Sequence, residues 1–140
     1  LIPYLHLRLK LFDLEILFLD QTVLTLGEDT ELTIDDFIYN SETHDGNFVT
    51  EVKSGTVKFI TGQISKLNPD NLEVKLPEGT LGARGTEFVV LSEKNKKSTI
   101  VLLGPGPNNS LGMIPGSLQI SDGNNMVSIT NPGYQAMIEN

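Results

Sequence analysis

The sequence predicts an all-β domain of many short antiparallel strands, forming a β-sandwich or a β-solenoid-like domain. Three observations carry this. Apolar residues recur with period two, as in Leu72, Val74 and Leu76 against Glu73 and Lys75, the pattern of a strand with one buried and one wet face. Turn-forming groups punctuate the chain at close spacing: Gly27-Glu28, Asp45-Gly46-Asn47, Ser54-Gly55, Thr61-Gly62, Asn68-Pro69-Asp70 and Asp122-Gly123-Asn124-Asn125. Each contains residues that accept φ > 0 or preset a turn. Helical periodicity is scarce, with a short helix expected near residues 134–138.

The elements follow in order. Leu5, Leu7, Leu9 and Leu11 alternate with His6, Arg8 and Lys10, then the phase shifts and Leu14, Ile16 and Phe18 take the apolar role. A one-residue shift turns side chains to the opposite face, so a bulge or turn is expected near Phe12-Asp13; a leucine-rich helix is the alternative. Further strands are expected over residues 22–26, 31–33, 36–40, 48–53, 56–60, 63–66, 72–76, 86–91, 98–103, 117–121 and 126–130. Ser54-Gly55 and Asp122-Gly123 are candidate two-residue hairpin turns. Residues 104–116, GPGPNNSLGMIPG, are too rich in Gly and Pro for a strand. They read as an exposed loop in which Met113 and Ile114 either pack back or meet a partner.

Composition narrows the function. The 140 residues suit one domain with a core. A net charge of −8 argues against a nucleic-acid backbone as partner. The Lys94, Lys96 and Lys97 cluster reads as a solvated turn. The absence of cysteine removes disulfides and thiolate chemistry. The most apolar stretch, residues 5–19, is interrupted by charges, so no membrane-spanning helix is expected. The chain begins with Leu1, which suggests a processed form or a fragment.

No catalytic or metal constellation emerges. His6 and His44 lie far apart in sequence, and the acids Glu28, Asp29, Glu31, Asp35 and Asp36 match no calcium loop; turn capping and a charged sheet edge account for them. No cofactor is expected, and a hydrolase is the least favoured reading. The stretch LPEGTLGARGTEFVV, residues 76–90, places glycines at 79, 82 and 85. That spacing, with a strand following, is not a dinucleotide fingerprint, and Gly85-Thr86 lacks a phosphate-loop lysine. Arg84 between two glycines reads more readily as a structural fork on carbonyls or a carboxylate than as an anion site.

The run Pro77, Gly79, Thr80, Gly82, Arg84, Gly85, Thr86 and Phe88 resembles the signature of the FecR-like domain, a β-rich bacterial domain. Upstream, residues 19–27, residues 34–39 and the set Val52, Gly55, Lys58, Phe59, Thr61 and Gly62 are similar to further motifs of that family, in the same order. The resemblance covers residues 16–103, flanked by an apolar N-terminal extension (1–15), the Gly/Pro-rich loop (104–116) and a closing hairpin and tail (117–140). It implies a periplasmic or secreted module of a Gram-negative envelope. The best-known members relay the state of an outer-membrane receptor to a sigma factor through a cytoplasmic segment and a membrane helix; this chain is more similar to stand-alone members. The expected function is non-catalytic binding or signal relay with protein partners. The alternative is a structural subunit of a larger envelope assembly that self-associates. Signature residues Gly79, Thr80, Gly82, Arg84, Gly85, Thr86 and Phe88 are expected to serve the fold. Leu5, Leu7, Leu9, Met113 and Ile114 are the candidate partner contacts.

Overall fold

The computed structural model describes residues 5–9, 13–94, 96–104 and 116–139, with Leu9 described by its backbone alone. Twelve strands are present among them: β1 (Leu5–Leu9), β2 (Leu14–Leu17), β3 (Val23–Leu26), β4 (Thr30–Tyr39), β5 (Gly46–Ile60), β6 (Leu72–Leu76), β7 (Gly79–Arg84), β8 (Glu87–Glu93), β9 (Lys97–Gly104), β10 (Ser117–Ser121), β11 (Met126–Ile129) and β12 (Gln135–Glu139). A short helix, α1 (Gln63–Leu67), and a 3-10 turn at Pro69–Asn71 separate β5 from β6. The domain is all-β.

The strands form two sheets that share β5. The first sheet runs β1-β4-β5-β6-β7-β10-β11 and the second β2-β3-β5-β8-β9-β12. Inward residues of both merge into one core, with Leu32, Phe48, Val74 and Leu118 from the first and Leu24, Phe59, Phe88 and Ile100 from the second. Phe18, just after β2, packs at 4.7 Å from Phe48 and 5.1 Å from Phe37 and so ties the sheets together.

The shared strand is why two expected strands became one. Residues 48–53 and 56–60 do not fold back on each other; both belong to the 15-residue β5. Its buried positions are Phe48, Thr50 and Val52, then Val57 and Phe59, a change of parity that needs one extra residue. That residue is accommodated as a bulge: Glu31 pairs with Ser54 but Leu32 with Val52. Gly55 follows at φ +99, where a Cβ would lie 2.4 Å from Thr30 Oγ1. Ser54-Gly55 thus turns the strand's face rather than its direction, and hands it from one sheet to the other. Residues 31–33 and 36–40 likewise join in β4, with a register shift between Ile34 and Asp36. The phase change near the N-terminus has the same meaning. Leu5 and Leu7 pack inward on the first sheet, and Leu14 and Ile16 on the second.

Three other expectations are corrected. Residues 63–66 are helical, not extended. The helix lies in the crossover that β5 and β6 need because they pair in parallel, the one exception to antiparallel pairing among the described strands. Where a helix was expected over residues 134–138, Gln135–Glu139 form β12, which pairs with β9. The turn at Asp122 holds four residues rather than two, since Ser121 pairs with Met126. Asp122 Oδ1 accepts from the amides of Asn124 (2.8 Å) and Asn125 (2.7 Å), which hold its carboxyl below the usual carboxylate range.

Candidate functional site

Strand β7 and the start of β8 contain the signature run, and its residues divide by the face they occupy. Leu81 and Ala83 point into the core. Gly79 abuts β10, where a Cβ would meet the Ser121 carbonyl oxygen at 2.1 Å. Gly85, at φ +43, makes the turn from the first sheet to the second. Thr86, buried beyond it, is the hub of that corner. Its amide donates to Thr61 Oγ1 (2.7 Å), its carbonyl accepts from the Thr61 hydroxyl (3.0 Å), and its own hydroxyl donates to the Gly104 carbonyl (2.6 Å). Gly116 also meets Thr86, because a Cβ there would lie 2.3 Å from Thr86 Cβ. Both ends of the segment that departs at Gly104 and returns at Gly116 therefore converge on this threonine. Phe88 stacks on its cross-strand partner Phe59 at 4.8 Å.

A fully buried carboxylate supports the same corner. Asp20 accepts from the Thr22 amide (3.0 Å), the Thr22 hydroxyl (2.9 Å) and the Ile64 amide (3.3 Å). Gly62 sits so close that a Cβ would lie 2.3 Å from the Asp20 carbonyl oxygen. The Ser65 hydroxyl donates to the Ala83 carbonyl and fastens α1 to the signature strand. Sequence reasoning did not single out Asp20. The local Asp-x-Thr pattern signals an Asx turn, but the third donor lies 44 residues away.

The outward residues are different in kind. Thr80, Gly82 and Arg84 lie on the solvent side of β7, in backbone register with Ser121, Gln119 and Ser117 of β10. Arg84 ends a strand and is exposed; it does not sit inside a glycine turn. Among the described residues it makes no hydrogen bond or ion pair, so the fork on carbonyls expected for it has no counterpart there. These outward residues line a groove of about 320 Å³, together with Asp70 and Glu73.

The candidate partner contacts are placed unevenly. Leu5 and Leu7 are half-buried on edge strand β1, facing the core; the backbone of Leu9 pairs with Thr30. Met113 and Ile114 lie outside the described residues. Larger apolar exposure occurs where it was not sought. Leu17 is 72 % and Leu19 84 % exposed, and Leu17, Val23 and Ile60 align across β2, β3 and β5 on the outer face of the second sheet. Lys58 and Glu87 form an ion pair (2.7 Å) beside this row. Each strand alone showed only a single apolar residue on its wet side, so the row becomes visible only once register is known.

Among the described residues the titratable groups form no cluster of three or more metal-ligating side chains. His44 stacks beside Tyr39 in an exposed turn, and Asp35 and Asp36 bond to Thr33 and Asn47. No helix among the described residues is long and apolar enough to cross a membrane.

His6 meets Glu31 across β1 and β4 at 2.7 Å. That hydrogen bond is the main reason the Glu31 carboxyl lies below its usual range; partial burial opposes the shift, and the charges of His6, Arg8 and Lys53 add to it. A depressed carboxyl pKa adds stability above the ordinary carboxylate range, and that stability is lost as pH falls through the lowered value. The expected result is a modest acid-side loosening of β1, since the pair is solvent-accessible. In an NMR titration the Leu7 and Arg8 amides should report it, and Glu31→Gln should abolish it. Flat β1 resonances in the unmodified protein would count against the pair.

Comparison with known proteins agrees with this architecture. The family model described as FecR protein matches residues 13–105. No curated protein matches the sequence. Two crystal structures of a “putative anti-sigma factor” from Parabacteroides distasonis ATCC 8503 share the fold. One has a TM-score of 0.68 at 11 % identity, covering 97 % of this chain and 55 % of that one. The other has a TM-score of 0.66 at 12 % identity, covering 96 % and 55 %. The chain thus spans little more than half the length of these structures.

Proposed function

Since the chain belongs to the FecR family, we propose that it is a non-catalytic signal-relay domain of a bacterial cell envelope, acting through contacts with protein partners. The family match over residues 13–105 carries the reading, and the shared fold with structures called anti-sigma factors supports it. The surface suits the role. Its polar network at the Thr86 corner is consumed in joining two sheets, while apolar side chains such as Leu17 and Ile60 stand on an outer face, where exposed apolar groups mark contact surfaces. A periplasmic location follows from the same reading.

A second reading, a structural subunit of an envelope assembly, is favoured by the edges of β1 and β2, which have one strand neighbour each among the described residues and can accept a strand from another chain. Sedimentation across a range of concentrations, combined with transcript profiling of the source bacterium carrying Leu17→Asp and Ile60→Asp, separates the two. Relay predicts a monomer, and a defined set of promoters whose output changes in the variants. A concentration-dependent oligomer with an unchanged transcript profile would overturn it.

A further inference from the structure

Gly82 is a glycine that the fold does not require. Gly79 and Gly116 are fixed by backbone or buried atoms that a Cβ would strike, and Gly85 by a positive φ. At Gly82 the backbone has ordinary strand conformation, and among the described residues an added Cβ would find only the Leu72 carbonyl oxygen, at 3.8 Å. A glycine inside a strand is destabilising relative to alanine, because its backbone loses more freedom on folding, so the fold alone favours a side chain there. What its absence does accomplish is visible on the outer face. Gly82 lies between Thr80 and Arg84 on β7, opposite Gln119, and lines the 320 Å³ groove. A side chain at this position would stand in the groove.

We propose that this groove is a docking cleft for an extended peptide segment of a protein partner, with a carboxylate seated on Arg84 and a basic side chain on Asp70 and Glu73. The inference rests on the relay reading and places one of its contacts. Thr80 to Arg84 spans about 13 Å of strand, the length of about four extended residues. The volume is at the small end for a ligand site, which falls at about 300–1,000 Å³; that suits a few side chains better than a whole cofactor. Arg84 presents a planar fork matched to a carboxylate, and Asp70 and Glu73, which line the same groove, supply the opposite charge. Ser117, Ser121 and Gln119 between them offer groups to bond peptide amides. Among the described residues no aromatic side chain lines the groove, so none of them offers a platform on which a sugar ring would stack.

The test selects a displayed library of random dodecapeptides on the unmodified protein and measures the winners, by calorimetry, on Gly82→Val and Arg84→Glu. Circular dichroism and a urea melt establish that each variant is folded. The proposal predicts winners that pair an acidic with a basic residue and lose at least about tenfold in affinity on each folded variant, a loss of roughly 1.4 kcal/mol. Winners indifferent to both substitutions would overturn the cleft while leaving protein binding elsewhere, and hence the relay reading, intact. A library that yields no winner, or a soluble glycan that binds in a Gly82-sensitive way where peptides do not, would also overturn it. Should Gly82→Val fail to fold, Gly82→Ser and Arg84→Glu carry the same comparison.

Discussion

Replacing Asp20 with alanine is expected to remove a large share of the domain's stability. The carboxylate is fully buried and receives three hydrogen bonds, two from Thr22 and one from Ile64. Each buried donor left unpaired costs about 1–3 kcal/mol, so Asp20→Ala should lose on the order of 3–5 kcal/mol, set against about 5–15 kcal/mol for a typical domain. The loss should also spread. Asp20 covers the first amides of α1, and α1 fastens the Ala83 carbonyl through Ser65, so the crossover and the signature strand should loosen together. Asp20→Asn keeps one acceptor oxygen, bonded to the Thr22 amide through Oδ1, and should lose less. Urea midpoints with an unchanged slope would measure this. An Asp20→Ala midpoint close to that of the unmodified protein would remove the carboxylate from its assigned place in the fold.

Truncating Phe88 is expected to cost about as much. Phe88 and Phe59 are both fully buried, face each other across β5 and β8, and lie nearly parallel with an interplanar angle of 7°. Phe88→Ala should lose about 3–5 kcal/mol from the transfer and cavity contributions together. The stacked pair itself should appear as a coupling of about 0.5–1.5 kcal/mol in a cycle of Phe59→Leu, Phe88→Leu and the double variant. Additive losses in that cycle would mean that the two rings contribute by burial alone.

Both expectations concern parts of the fold that the sequence revealed unequally. Alternation located β6, β8 and β9 because each buries one face, and Asp122-Gly123-Asn124-Asn125 located the turn between β10 and β11. The motif run around Arg84 pointed to the family. What escaped was whatever depends on a distant partner. Ser54-Gly55 has the composition of a hairpin, yet here the positive φ of Gly55 serves a bulge, because strands from both sheets need β5. The QISKL segment of α1 has little helical pattern, and its first turn is completed by Asp20. The glycine spacing around Arg84 did not show that β7 is a strand with two faces, one buried in the core through Leu81 and Ala83 and the other carrying Thr80, Gly82 and Arg84. The Leu17, Val23 and Ile60 row was hidden for the same reason.

The central claim is therefore a division of labour within the signature: inward and corner residues hold the fold, while the outward face stays open for a partner. Urea denaturation of Gly79→Ala, Thr86→Val, Gly82→Val and Arg84→Glu tests it most directly. The account predicts lower midpoints for Gly79→Ala and Thr86→Val, through the clash with the Ser121 carbonyl and the lost bond to Gly104. It predicts midpoints at or above that of the unmodified protein for Gly82→Val, and an unchanged midpoint for Arg84→Glu. Loss of stability in the last two variants to the same degree as in the first two would contradict the division.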